Sequence, residues 1–217
     1  LVGAEFRDQE SIVKRSVITV DGPRGSEMNQ DVHWGWEPIP GYTNPDTPLV
    51  AMSHMGPDDE NPTYTHTWPS SWPDKFSDPT DPGWSGKWNG YFGKDQKNAE
   101  QESYFVMDDY NDSEFNYFPD SSNLDRRGMG LSCTVRGLQW NHILAEDVLF
   151  WLYDIKNISN KDIEKMVFGY IVGTITGGDG DSQDDWADFD KLDDIAYSFD
   201  NGTDLETGLG GIGSGGW

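Results

Sequence analysis

The sequence predicts an all-β fold, an antiparallel β-sandwich of the jelly-roll or immunoglobulin-like kind, interrupted by a long irregular Pro/Trp-rich loop excursion. Three observations carry that expectation. Short runs rich in Val, Ile, Thr and aromatics alternate apolar and polar residues, as half-buried strands do. Clusters of Gly, Pro, Asn and Asp separate these runs. No segment sustains the helical apolar period, so sheet packing on sheet is the way left to bury the apolar faces.

Taken in order, Ser11 to Val20 (SIVKRSVITV) forms a strand ended by the turn Asp21-Gly-Pro-Arg-Gly25. Residues 31–100 hold most of the prolines and most of the tryptophans, with Trp-Pro at 68–69 and 72–73 and Asp-Pro at 78–79 and 81–82. Proline at that density stops both ladders and helices. An ordered excursion pinned by its aromatic rings is expected there, and loops this long are usually functional. Gln101 to Asp108 is a strand, followed by the acidic, aromatic turn Asp109 to Asp120. Further on, Leu131, Cys133 and Val135 face one side of a strand and Ser132, Thr134 and Arg136 the other.

Two apolar segments come next, 146–156 and 165–175, joined by the polar turn Ile158 to Asp162. That spacing predicts a hairpin. The unbroken apolar run Val148 to Tyr153 predicts a strand buried on both faces. Residues 193–200 make a last short strand, and 205–217 a Gly-rich tail. The chain, residues 1–217, is thus expected to be one sandwich segment of a longer protein. Within it, 1–30 supplies a strand, 31–100 the excursion, and 101–204 the sandwich strands with an acidic loop.

The formal charge of −24 argues against nucleic acid and anionic membranes as partners, because both are bound through Lys and Arg. Acidic disorder is excluded by 10 Trp, 9 Tyr and 10 Phe, which disordered acidic tails lack. No run approaches the length of a membrane span. A single cysteine, Cys133, forms no internal disulfide and fits a small buried position.

From Asp179 to Glu206 there are ten Asp and one Glu against the lone base Lys191. Calcium takes about six to eight oxygens, which Asp/Asn/Gly loops supply at alternate positions. Asp179, Asp181, Asp184, Asp185, Asp188, Asp190, Asp200 and Asp204 are the candidate ligands for Ca²⁺. Their spacing is not that of an EF-hand. The plain alternative is a solvated acidic loop. Transition metals fit poorly, since no His or Cys lies nearby.

In the excursion, Trp72, Trp84 and Trp88 are candidate ligand-binding residues, because exposed indoles stack on sugar rings. The preferred account is structural: the rings pin the loop to the sandwich or to a neighbouring domain. No nucleophile elbow, zinc-protease motif, phosphate loop or Cys–His pair occurs, and His33, His54, His66 and His142 stand at no ligand spacing. No catalytic residue is assigned. Three Asn-x-Ser/Thr sequons, at Asn111, Asn157 and Asn201, matter only in a eukaryotic secretory host.

Several stretches resemble long, multidomain secreted or cell-surface proteins of the Bacteroidetes–Ignavibacteria type, exported by the type IX pathway. The residues are Glu146-Asp147, Tyr153-Asp-Ile-Lys-Asn-Ile-Ser159, Val167-Phe-Gly169, the loop Asp179 to Asp190, and Asp193 to Gly202. Trp36 to Tyr42, Trp88 to Gly93 and Glu102 to Asp109 share the likeness. Where many of those proteins place an Asp ahead of the acid loop, this chain has Gly173-Thr174. The resemblance implies a bacterial extracellular or cell-surface location and no particular activity.

Together these features predict a non-enzymatic, calcium-stabilised structural or adhesive segment, in a surface layer or filament, with neighbouring domains or copies of the same protein as partners. The alternative is a carbohydrate-binding module, or part of a secreted glycan-degrading enzyme. A hydrolase fragment whose catalytic half lies elsewhere is a third class.

Overall fold

Alternation in β-strands decides which side chains meet, and the chain uses both faces of one sheet. The computed structural model describes residues 2–7, 13–18, 33, 35–58, 64–113, 117–170 and 185–200. It divides into two compact units, Leu1–Gly169 and Tyr170–Trp217. In the first lie β1 (Val2–Arg7), β2 (Val13–Ile18), β3 (Glu37–Pro38), β4 (Ala51–Met52), β5 (Asn89–Gly90), β6 (Gly93–Lys94), β7 (Gln101–Asp108), β8 (Leu131–Gln139), β9 (Phe150–Asn157) and β10 (Lys165–Phe168). In the second lie β11 (Asp185–Asp190) and β12 (Ile195–Asp200). All the ladders are antiparallel, and no α-helix occurs among the described residues. The predicted all-β sandwich is what forms.

The main sheet runs β3-β7-β8-β9, with β4 also on β7, and a second sheet runs β10-β1-β2. On one face of the main sheet, Met107, Leu131, Cys133 and Val135 pack with Val2 and Ala4 of β1 and with Trp36, Tyr117 and Met129. That sheet-on-sheet contact is the sandwich core. On the other face, Tyr104, Val106 and Ala51 pack with Trp68, Trp72, Trp84 and Trp88 of the excursion. The excursion therefore serves as a third layer, with short turns in place of strands.

Each of these four indole N–H groups has an acceptor. Trp68 donates to the Met52 carbonyl and Trp72 to the Lys87 carbonyl, each at 2.7 Å. Trp84 donates to Asp78 at 2.6 Å and Trp88 to Glu102 at 2.7 Å. Buried indoles cost free energy unless so paired. The Asp78 bond also steadies Trp84 at a positive φ of 44°, a region non-glycine residues avoid. Glu102 is wholly buried, and besides Trp88 it accepts from the backbone N–H groups of Asn98 and of Ala99, the latter at 3.1 Å.

Two expectations require correction. Segments 146–156 and 165–175 do not form a hairpin: β9 pairs with β8 from Leu131↔Asn157 to Leu138↔Phe150, and β10 pairs with β1. The Asn157–Asn160 turn does form, with Asn157 Oδ1 accepting from Ser159 N at 2.9 Å. However, Ile158 N bonds the Gly130 carbonyl, which directs the chain onward to the second sheet. Nor is the apolar run 148–153 buried on both faces. Among the described residues β9 ends its sheet, and Phe150, Trp151 and Leu152 are 40–46% exposed. β2 and β7 find their partners inside the chain, on β1 and on β8, β3 and β4.

At the far end of β7, Asp109 is buried and accepts from Met129 N (2.6 Å), Leu131 N (2.9 Å) and Arg126 Nη2 (2.9 Å). Burial pushes its carboxyl up to about 6, against the pull of those donors.

Removing the Glu102 carboxylate by Glu102→Ala strands two buried N–H donors, of Trp88 and Ala99, and the part-buried one of Asn98, and urea unfolding followed by tryptophan fluorescence should show a loss of about 3–5 kcal/mol. Asp109 should give a pH signature of the opposite sign to ordinary acid denaturation. Its folded carboxyl titrates near 6 and the unfolded one near 3.8. Its stabilising share is therefore complete below the lower value and lost as pH rises through the upper, by at most about 3 kcal/mol. Asp109→Asn should flatten that segment of the stability–pH curve even while lowering stability throughout.

Candidate functional site

The face of the main sheet that meets the excursion carries Tyr104 on β7, Thr134 and Arg136 on β8, and Leu152 and Asp154 on β9. Tyr104 stands opposite Arg136 in the register, as Thr134 does opposite Asp154. Buried Trp72 leads directly into a 3-10 turn, Pro73–Lys75, and so delivers Asp74 to the same place. The Asp74 carboxylate accepts from the Tyr104 hydroxyl at 2.7 Å and from Asn89 Nδ2 at 3.1 Å. Asn89 follows Trp88, and its carbonyl accepts from Arg136 Nη1 at 2.7 Å. The Arg136 guanidinium lies 4.2 Å from the Tyr104 ring centroid. Asp74, Tyr104, Thr134, Arg136, Leu152 and Asp154, with Tyr91, line a cleft of about 690 Å³.

The electrostatics follow from burial. Loss of water raises the Tyr104 hydroxyl far above its usual range, and the Asp74 charge raises it further, so it stays a donor to that carboxylate. Tyr42, edge-on to Tyr104 at 5.9 Å, is raised for the same two reasons. Burial lowers the Arg136 guanidinium, while Tyr104, Glu102 and Asp74 hold it up. The result is a fixed carboxylate beside a fixed cation, with hydroxyl donors around them. A second cleft, about 560 Å³, is lined by His54, Asp58, Trp68, Lys87, Asp95 and Lys97.

The sequence-predicted residues lie elsewhere. Trp72, Trp84 and Trp88 are 1%, 7% and 0% exposed, so none offers a face for a sugar to stack on. The crowding of aromatic residues that suggests a platform is what lets the rings pack on one another. Trp72 and Trp88 meet edge-to-face at 5.5 Å. Of the acids, Asp179, Asp181, Asp184 and Asp204 lie outside the described residues. Asp185, Asp188 and Asp190 belong to strand β11 rather than to a loop.

In that hairpin Asp185 stands opposite Asp200, while Asp188 stands opposite Tyr197 and Asp190 opposite Ile195. Alternation puts Asp185 on the other face from Asp188 and Asp190. Asp188 accepts from the Tyr197 hydroxyl at 3.3 Å and raises it, and Asp190 caps the turn through Leu192 N at 2.8 Å. Among the described residues no three His, Cys, Asp or Glu side chains gather as they would around a metal ion. Burial pushes the Cys133 thiol up to about 11, which keeps it protonated and unreactive.

Sequence reasoning missed Asp74, Tyr104 and Arg136 as a group. The local signal was present in Trp72-Pro73-Asp74, a buried ring followed by a turn, but nothing in the sequence states which strand that turn meets. Among the described residues, no helix is long and apolar enough to cross a membrane. In comparisons with known proteins, no family model, no curated protein and no solved structure matches the chain.

Proposed function

We propose that the chain is a non-enzymatic structural or adhesive segment of a large secreted or cell-surface protein, and that copies of it assemble through the side where β9 and β10 end their sheets. The observation that carries this is the apolar character of that side. Phe150, Trp151 and Leu152 of β9 and Met166, Val167 and Phe168 of β10 are all 40–69% exposed. The Tyr153 and Phe168 rings lie 5.5 Å apart, so the two edges are neighbours. Leu149, next to Phe150 in the chain, is 59% exposed.

Unpaired backbone flanked by apolar side chains is a template for another strand, and proteins that do not use such edges blunt them with charge or proline. A second copy presenting the same edge would satisfy both rows at once. The charge of −24 opposes that approach, so screening should strengthen it. An extracellular setting is supported by the resemblance of residues 137–204 to large secreted proteins.

Calcium belongs to the same proposal. Asp185 and Asp200 stand opposite each other in the β11–β12 register, within the Asp/Asn/Gly-rich stretch whose oxygens suit Ca²⁺. Asp179, Asp181, Asp184 and Asp204, near these two in sequence, would complete its oxygen shell, while Asp188 and Asp190 lie on the other face of β11.

Sedimentation across micromolar to submillimolar chain should show self-association that grows with salt and disappears in Leu149→Lys combined with Val167→Lys. Because lysine lowers the net negative charge, repulsion cannot account for that loss. A chain monomeric under all these conditions would overturn assembly through the edge. For calcium, thermal unfolding in excess EDTA and then in millimolar Ca²⁺ is expected to differ by a few degrees. One ion at about 100 times its dissociation constant adds about 2.7 kcal/mol. Equal curves, or an equal rise with Mg²⁺, would reduce the acids to solvated charge.

A further inference from the structure

The cleft between the main sheet and the excursion holds groups suited to one ligand chemistry, and from their arrangement we infer that it binds a neutral saccharide. Asp74 and Asp154 reach it from two elements, the 3-10 turn and β9, and Arg136 and Thr134 reach it from β8. Two carboxylates outnumber the one guanidinium, and the whole chain is strongly acidic, so an anion is repelled. A simple cation meets Arg136, which cannot withdraw: it is buried, bonded to the Asn89 carbonyl and stacked on Tyr104.

Sugar hydroxyls donate and accept at once. The two carboxylates take their protons, while the guanidinium and the Thr134 hydroxyl donate to their oxygens. Tyr91 supplies the apolar element. Its ring lines the cleft and is 58% exposed, and Phe92 packs against it edge-to-face at 4.9 Å. A ring so held suits the C–H face of a pyranose.

Size and rigidity agree with this assignment. A volume of about 690 Å³ lies within the range of small-molecule sites. Asp74 is already fixed by Tyr104 and Asn89, and Arg136 by Asn89, so binding need not order them. The site differs from the tryptophan platform expected from the sequence, since Trp72, Trp84 and Trp88 are not among its lining residues. It does not rest on assembly through the β9–β10 edge, and Leu149 and Val167 are not among its lining residues.

The test is an array of neutral, sialylated and sulfated glycans probed with the labelled chain, followed by calorimetry with the best neutral glycan. Hits should be confined to neutral glycans, and affinity should change by less than about twofold between low and high salt. Tyr91→Ala and Asp154→Asn should each weaken binding about tenfold while thermal melting stays that of the parent. Tyr91 is exposed enough that its removal leaves the core intact. Failure of every neutral glycan to bind, preference for the anionic ones, or variants that bind like the parent would each overturn the assignment.

Discussion

Glu102 lies near the start of β7 with no exposed surface, and its carboxylate gathers the Trp88 indole and the backbone N–H groups of Asn98 and Ala99. A buried charge is tolerated only when its lone pairs are met by donors. Here the donors come from the excursion, so the sheet can keep this carboxylate only while the excursion is in place. The dependence runs both ways. The tryptophan layer contributes little backbone pairing of its own, and its position on the sheet is set by indole hydrogen bonds and ring contacts. Trp88 in turn places Asn89, and Trp72 places Asp74. The polar cleft is thus a consequence of how the tryptophans are anchored.

The two faces of the main sheet answer different problems. One is closed by β1, whose Val2 and Ala4 meet Leu131, Cys133 and Val135 in an apolar core. The other is closed by a layer without long strands, where rings supply area and side-chain acceptors replace the ladder. Cover is thinner at β9: Tyr153 and Ile155 pack against the first core, while Phe150, Trp151 and Leu152 stay in contact with water, as do Met166, Val167 and Phe168 of β10. Such a surface on a chain of charge −24 combines short-range attraction with long-range repulsion, so the proposed association would respond to ionic conditions.

Acidic residues are put to separate uses. Glu102, Asp78 and Asp109 are internal acceptors that stop turns and indoles from losing hydrogen bonds, while Asp185 and Asp188 sit on an exposed hairpin. The same residue type therefore carries structural and surface roles that composition alone merges into one number. Asp109 shows the cost of the first role: even with two N–H donors and Arg126, burial leaves its carboxyl easier to protonate than one in water.

Local pattern was enough for the strands at 101–108 and 131–139, for the turn at Asn157, and for the all-β class. Each depends on residues near in sequence, through alternation or through an Asn side chain reaching two residues on. The excursion was equally legible, because prolines at 69, 73, 79 and 82 forbid a ladder wherever the segment lies. Pairing was not legible. The apolar runs at 148–153 and 165–168 look alike whether they bond each other or, as they do, β8 and β1, since alternation records a face and carries no partner. Burial was misjudged for the same reason: an apolar strand at a sheet edge has the composition of one at the centre. The grouping of Asp74, Tyr104 and Arg136 was decided by tertiary structure alone, because it joins a turn and two strands through a register that only the folded sheet defines.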